Sequence, residues 1–172
     1  MTRRLSAFLI AALGAATLGL GLAGAVSAQT PPAAPVKVEA DRLDLDQRAG
    51  TAVYRGNVKI RQGEMRLHGA RIEIQRNDAG ELSRATSFGE RAYLRHRPNP
   101  NKAPIEGHAR RIVYHVAERR VELIDQAELD QGGDHFEGGR LEYFIDQEVV
   151  QARSEVDGSD DQRIRMTLQP EQ

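Results

Sequence analysis

The sequence predicts an all-β protein of about sixteen short antiparallel strands, arranged as two similar halves. Three observations carry this expectation. Apolar and polar residues alternate with period two along most of the chain, which is the pattern of strands with one buried and one solvated face. Turn chemistry recurs every six to ten residues, as at Ala49-Gly50, Gly56-Asn57, Gln62-Gly63, His68-Gly69, Asn77-Asp78-Ala79-Gly80, Gly132-Gly133, Gly138-Gly139 and Asp157-Gly158. A strand-rich block also occurs twice, at 35–74 and 104–143, a constant offset of 69 residues. Eight of its forty ungapped positions are identical: Pro35/Pro104, Ala40/Ala109, Arg42/Arg111, Gln62/Gln131, Gly63/Gly132, Gly69/Gly138, Arg71/Arg140 and Glu73/Glu142. Chance would match about two or three. Repetition of one short unit lays down a framework rather than a bespoke catalytic site.

Taken in order, the chain opens with a leader. Arg3 and Arg4 precede an apolar stretch from Leu5 to Leu22, and Val26-Ser27-Ala28 supplies the small residues of a processing site, so 1–28 is expected to be a cleaved signal peptide. The competing expectation is an uncleaved inner-membrane anchor, because about 18 apolar residues approach spanning length. A Pro/Ala tail follows at 29–35. Alternation then begins: Val36 and Val38 share a face, as do Leu43/Leu45, Val58/Ile60, Met65/Leu67 and Ala70/Ile72/Ile74. Beyond the break PNPNKAP at 98–104 it resumes at Ile112/Tyr114, Val121/Leu123, Ala127/Leu129, Leu141/Tyr143/Ile145 and Ile164/Met166/Leu168, leaving 169–172 as a short tail. The break reads as a connection inside one sheet system, since two separate domains of about 65 residues would each have a thin core and exposed edges.

Composition excludes several functions. There is no cysteine, hence no disulfide, thiolate metal site or lipoprotein acylation site. Without Arg3 and Arg4 the chain carries 22 basic and 25 acidic side chains, a net charge of −3, which argues against generic nucleic-acid binding. The hydrolase, phosphate-loop and zinc-protease motifs are absent, and the five histidines lack metal-ligand spacing. His108 and His115 lie closest, but at opposite parity, so on a straight strand they would face opposite sides. No catalytic residue, cofactor or metal is therefore expected. A glycosidase would need two carboxylates on the inner face. The inner face itself lacks large aromatic filler, having no Trp and, after the leader, only Phe88, Phe136 and Phe144. Composition alone fits both a packed sandwich core and an incompletely filled groove for an apolar ligand.

The run TAVYRGNVKIRQGEMRLHGARIEI from Thr51, the segment APIEGHARRIVYHVAERRVELIDQAELDQ with its EGHA from Glu106, SFGERAYLR at 87–95 and the LEYFIDQEVVQARS stretch together resemble the OstA-like family. The likeness spans about 36–168 and departs from the family pattern at Asp125-Gln126-Ala127, where a Gly-Asn-Ala turn is usual. It implies an open, twisted β-jelly-roll that shelters the acyl chains of lipopolysaccharide in the periplasm. It further implies an inner-membrane extraction complex containing a single-span OstA-like (LptC-like) protein as one partner. The N-terminal OstA-like domain of an outer-membrane (LptD-like) translocon is the other, with head-to-tail self-association between them. Family lipid positions fall on Val36, Val38, Leu94, Ile112, Tyr114 and Val116; alternation adds Leu43, Leu45, Val58 and Ile60 to the same lining. The other function consistent with these residues is an OstA-like scaffold that joins partners without carrying lipid.

Overall fold

The computed structural model describes residues 34–97, 99–154 and 163–170. The leader, tail residues 29–33 and residues 171–172 lie outside the described residues, as does the turn expected at Asp157-Gly158. Ten strands form one sheet: β1 (Val36–Glu39), β2 (Arg42–Asp46), β3 (Thr51–Gln62), β4 (Met65–Arg76), β5 (Leu82–His96), β6 (Ile105–His115), β7 (Arg120–Gln131), β8 (Asp134–Phe144), β9 (Val149–Arg153) and β10 (Arg165–Thr167). All pairings are antiparallel, and β3 to β8 each pair with the next in sequence. At one end β1 and β2 both pair with β3; at the other β9 and β10 both pair with β8. The chain therefore climbs as an open meander with two edges left free among the described residues.

The expectation of about sixteen strands is corrected to ten among the described residues. Gly56-Asn57, His68-Gly69 and Gly138-Gly139 do not reverse the chain; they are irregularities inside continuous strands. Register shifts fall between Arg55 and Val58, His68 and Arg71, Phe88 and Ala92, His108 and Arg111, and Ile124 and Ala127. An extra residue in one strand bends it and sharpens its twist. Because the shifts line up from strand to strand, they crease the sheet along a single line. The first layer then comprises 36–39, 58–69, 92–97, 99–109, 127–138 and 165–167. The second comprises 42–55, 71–88, 111–124 and 140–153.

At the crease, Gly56 (φ 81°) and Asn57 (φ 45°) take left-handed backbone conformations. Asp41, where β1 gives way to β2, donates its backbone N–H to the Arg55 carbonyl at 3.1 Å, and its side chain occupies the space a Cβ at Gly56 would need. Sixty-nine residues on, Asp125 (φ 66°) and Gln126 (φ 52°) hold the same left-handed pair without a glycine. The unusual sequence there thus leaves the backbone geometry intact. Arg110 stands at the position matching Asp41, and its guanidinium meets the Asp125 carboxylate at 3.4 Å. A second aspartate at 110 would face Asp125 as a like charge; arginine converts that repulsion to attraction.

The two layers meet face to face around one core that includes Val58, Leu67, Leu94 and Leu129 of the first layer and Ile72, Ile112, Leu123 and Leu141 of the second. Away from the crease the layers touch at Gly107, where an added Cβ would lie 2.5 Å from Cδ2 of Leu123 in the opposite layer. The glycine of the EGHA segment is therefore the socket for a leucine crossing the interior.

Candidate functional site

Each layer presents inward-facing rows that run across eight strands. In the second layer one row is Leu43–Tyr54–Ile72–Ser87–Ile112–Leu123–Leu141–Ala152, and its neighbour is Leu45–Ala52–Ile74–Ala85–Tyr114–Val121–Tyr143–Val150. In the first layer the matching row is Val38–Ile60–Leu67–Leu94–Gly107–Leu129–Phe136–Met166. Ser87, the polar member, is fully buried and donates its hydroxyl to the His68 carbonyl at 2.9 Å, so it adds no unmet polarity. The result is an apolar trough, closed along the crease and bordered on the opposite side by the strand-end turns.

The ten expected lining residues divide by depth. Val58, Ile60, Leu94, Ile112 and Tyr114 are buried in the core, and Val38 and Val116 pack partly buried against it. Val36, Leu43 and Leu45 stand at the first edge of the sheet and remain 42%, 50% and 52% exposed. The last edge is also apolar, exposing Val149, Ile164, Met166 and Leu168. Val36, Ile60, Met65 and Leu67 of the first layer and Ile74, Ala85 and Tyr114 of the second enclose a cavity of only about 20 Å³. Beside it, over Leu45, Ala52 and Ile74 and the turns at Arg48 and Arg76, lies an open cleft of about 580 Å³. The trough is thus roomy at its first edge and closed further in.

The outer faces are charged. Glu122, 6% exposed, accepts hydrogen bonds from Arg140 Nη2 at 2.6 Å and from Arg120, with His115 Nε2 at 2.8 Å. Burial raises the Glu122 pKa, but the Arg140 and Arg120 hydrogen bonds outweigh it and hold the carboxyl below its usual range. The register shift after His108 reverses parity within β6, so His108 and His115 both face outward, one on each layer. This corrects the expectation that they point to opposite sides, which assumed a straight strand. No group of three His, Asp or Glu suited to a metal ion occurs among the described residues. The three inward rows named contain no carboxylate; Asp134, at a strand end opposite Gln131, accepts the Gln169 N–H at 2.9 Å.

Sequence reasoning counted Tyr143 among the inward apolar residues without weighing its hydroxyl, and did not place His96 on the inward face. His96, two positions beyond Leu94 on β5, and Tyr143, on the Tyr114 row, carry ring-nitrogen and hydroxyl atoms that are buried and have no hydrogen-bond partner among the described residues. The signal was present in the parity of Leu94 and His96 and of Leu141 and Tyr143.

An open β-sheet folded around an apolar trough, with charged outer faces and apolar free edges, defines a carrier or conduit for an extended apolar ligand. Comparison with known proteins gives the family. The family model described as LptA/(LptD N-terminal domain) LPS transport protein matches residues 37–149, and the chain belongs to this family. It is 34% identical over 157 residues to the lipopolysaccharide export system protein LptH of Pseudomonas aeruginosa, covering 90% of each chain. It is 27% identical over 149 residues to LptA of Escherichia coli, covering 81% of this chain and 80% of that one. The crystal structure of LptH, described as the LptA-homologous periplasmic component of a lipopolysaccharide transport device, superposes with a TM-score of 0.73 at 35% identity. The superposition covers 80% of this chain and 96% of that one. The chain is a member of a lipopolysaccharide-transport family.

Proposed function

We propose that this protein binds lipopolysaccharide by its acyl chains in the trough between the layers and conducts it across the periplasm. The observation that carries the reading is the set of inward rows spanning eight strands and ending in exposed apolar residues at both edges. Val36, Val38, Leu43, Leu45, Val58, Ile60, Leu94, Ile112, Tyr114 and Val116 form the lipid path. At about 0.8 kcal/mol per methylene, exposing one acyl chain of a dozen carbons to water costs roughly 8–10 kcal/mol, so a multi-chain lipid needs continuous cover. Free strand edges suit pairing with further β-sheets. On this reading the free edges meet an LptC-like protein of the inner-membrane extraction complex and an LptD-like domain of the outer-membrane translocon, and copies stack head to tail between them. Residues 1–28 act as a leader cleaved after Ala28. The repeat is read as two similar halves, β1–β5 and β6–β10, stacked along one path; β3 and β7 begin and end 69 residues apart.

A photo-crosslinking residue at Tyr114 or Val36 is expected to capture lipopolysaccharide in cells; labelling of protein neighbours alone would sink the groove. The small interior cavity favours a second reading, a scaffold that joins partners without carrying lipid. Tyr114→Asp separates them: lost transport with folding and assembly intact supports the carrier, and undiminished transport supports the scaffold.

A further inference from the structure

The inner surface is not uniformly apolar. His96 is the last residue of β5 and follows Ala92 and Leu94 on the inward side, pairing with fully buried Ile105 on β6. Its two ring nitrogens are both buried and neither has a hydrogen-bond partner among the described residues. On the opposite layer Tyr143 is 1% exposed, stands in the Tyr114 row, and holds its hydroxyl buried and without a partner. Both residues sit near the strand ends that border the trough, where the layers part, and away from the crease. A buried polar atom left unsatisfied costs about as much as a hydrogen bond is worth or more, so several together in an apolar interior call for a partner.

The surrounding charges decide what that partner is. Arg119 donates from Nε to Asp146 Oδ1 at 2.5 Å, and Lys102 is paired with Glu148, so these two cations are already neutralised; Arg97, without an ion pair among the described residues, follows His96 at the opposite, outward parity. Burial lowers the His96 pKa, with Arg119 adding to the effect, so the imidazole is neutral and offers one donor and one acceptor. Burial pushes the Tyr143 phenol up to about 12, so it remains a donor. Neutral donors suit neutral acceptors, whereas a phosphate would require unpaired guanidinium or ammonium groups.

We propose that His96 and Tyr143 form a polar rim inside the mouth of the trough that hydrogen-bonds the neutral linkage oxygens of an acylated lipid: its ester and amide carbonyls and acyl hydroxyls. The apolar rows cover the chains, and the rim sets how deep they enter by engaging the atoms that join them to the headgroup. This rests on the lipopolysaccharide-carrier reading and adds a specificity element to it.

The test uses the mature protein, with lipopolysaccharide as the probe and binding read by displacement of a fluorescent lipid. His96→Leu and Tyr143→Phe remove the polar atoms while nearly keeping volume. Each is expected to weaken binding about five-fold, the worth of one ordinary hydrogen bond, while thermal stability is unchanged or raised. His96→Gln, which keeps a donor and an acceptor, should stay within about two-fold of wild type. Raised stability with unchanged or tighter binding in both variants would overturn the rim and leave the carrier reading standing. Failure of the wild-type protein to bind lipopolysaccharide would overturn both. Should His96→Leu fold poorly, Tyr143→Phe decides alone, because it deletes a single oxygen.

Discussion

The contact between Gly107 and Leu123 joins the two layers at one point, and its energetics can be separated from everything else in the fold. A Cβ at residue 107 would lie 2.5 Å from Leu123 Cδ2, whereas carbon atoms pack at about 3.5–4.0 Å. Gly107→Ala therefore forces the leucine methyl back by about 1–1.5 Å into neighbours that leave Leu123 fully buried. Overpacking of this kind costs about 1–3 kcal/mol. Gly107 is not in the left-handed region, so alanine is tolerated by the backbone and returns about 0.4–1 kcal/mol through the unfolded chain. The net expectation is a loss of about 0.5–2.5 kcal/mol. Leu123→Ala alone should cost about 2–5 kcal/mol by opening a cavity. In that background Gly107→Ala meets no obstruction and should be neutral or stabilising, giving a coupling of about 1–3 kcal/mol of opposite sign to the single effects. Equilibrium denaturant unfolding of the four proteins, followed by circular dichroism, measures it. A coupling below about 0.5 kcal/mol would mean that the layers do not meet at this point, and the trough would have to be redrawn.

Two further outcomes are expected. Gly56→Asp places a side chain on a left-handed backbone position and a carboxylate against Asp41, and should lose about 2–4 kcal/mol in thermal unfolding. Adding Asp41→Arg recreates the arrangement of Arg110 with Asp125 and should recover at least half; simple additivity would show that these two positions along the crease are not equivalent. The His96 pKa is lowered in the fold, so on acidification the unfolded chain takes up the proton first, at the ordinary value of 6.5. Stability should then fall as pH drops below 6.5, until the folded imidazole also protonates, and His96→Leu should flatten that fall. His135 works in the opposite direction: hydrogen bonds from its ring to Asp130 and Glu137 raise its pKa, so its contribution is present at low pH and lost as pH rises through the raised value. His135→Gln should therefore remove the gain in stability that accompanies acidification from the raised value down to 6.5, and unfolding curves at several pH values read both effects.

The inward face was legible because strand alternation reports burial directly: Ile112 and Tyr114, Leu141 and Tyr143, and Val58 and Ile60 all stand where parity puts them. The crease was not legible from turn residues, because a glycine beside a polar residue satisfies a reversal and a bulge equally well. A better signal was the change of parity within one run. Inward residues are Met65 and Leu67 before the irregularity in β4 but Ile72 and Ile74 after it, and Ile105 to Ala109 give way to Ile112 and Tyr114 in β6. Such a switch demands one extra residue, hence a bulge. Gly107 was quoted within a motif but unexplained, since only the opposite layer reveals what its missing side chain makes room for. His96 was weighed only for metal-ligand spacing, and a histidine at a strand end gives no sequence signal of burial beyond its parity with Leu94.

The closed interior bears directly on how a carrier of this shape must work. A cavity of about 20 Å³ admits no acyl chain, while ligand sites for molecules of that class begin near 300 Å³. Loading on the proposed reading thus requires the layers to part. The crease is the natural hinge: it is where the ladder hydrogen bonds are already interrupted, so spreading there breaks few pairings. The opposite border resists weakly, because Lys102–Glu148, which joins the layers there, is an exposed pair worth about 1 kcal/mol or less. What opposes opening is chiefly the apolar contact between the layers, and an entering chain replaces that contact with its own. Chain entry then exchanges one buried apolar surface for another, which lets lipid advance in either direction along the trough, so net movement has to be imposed at the ends.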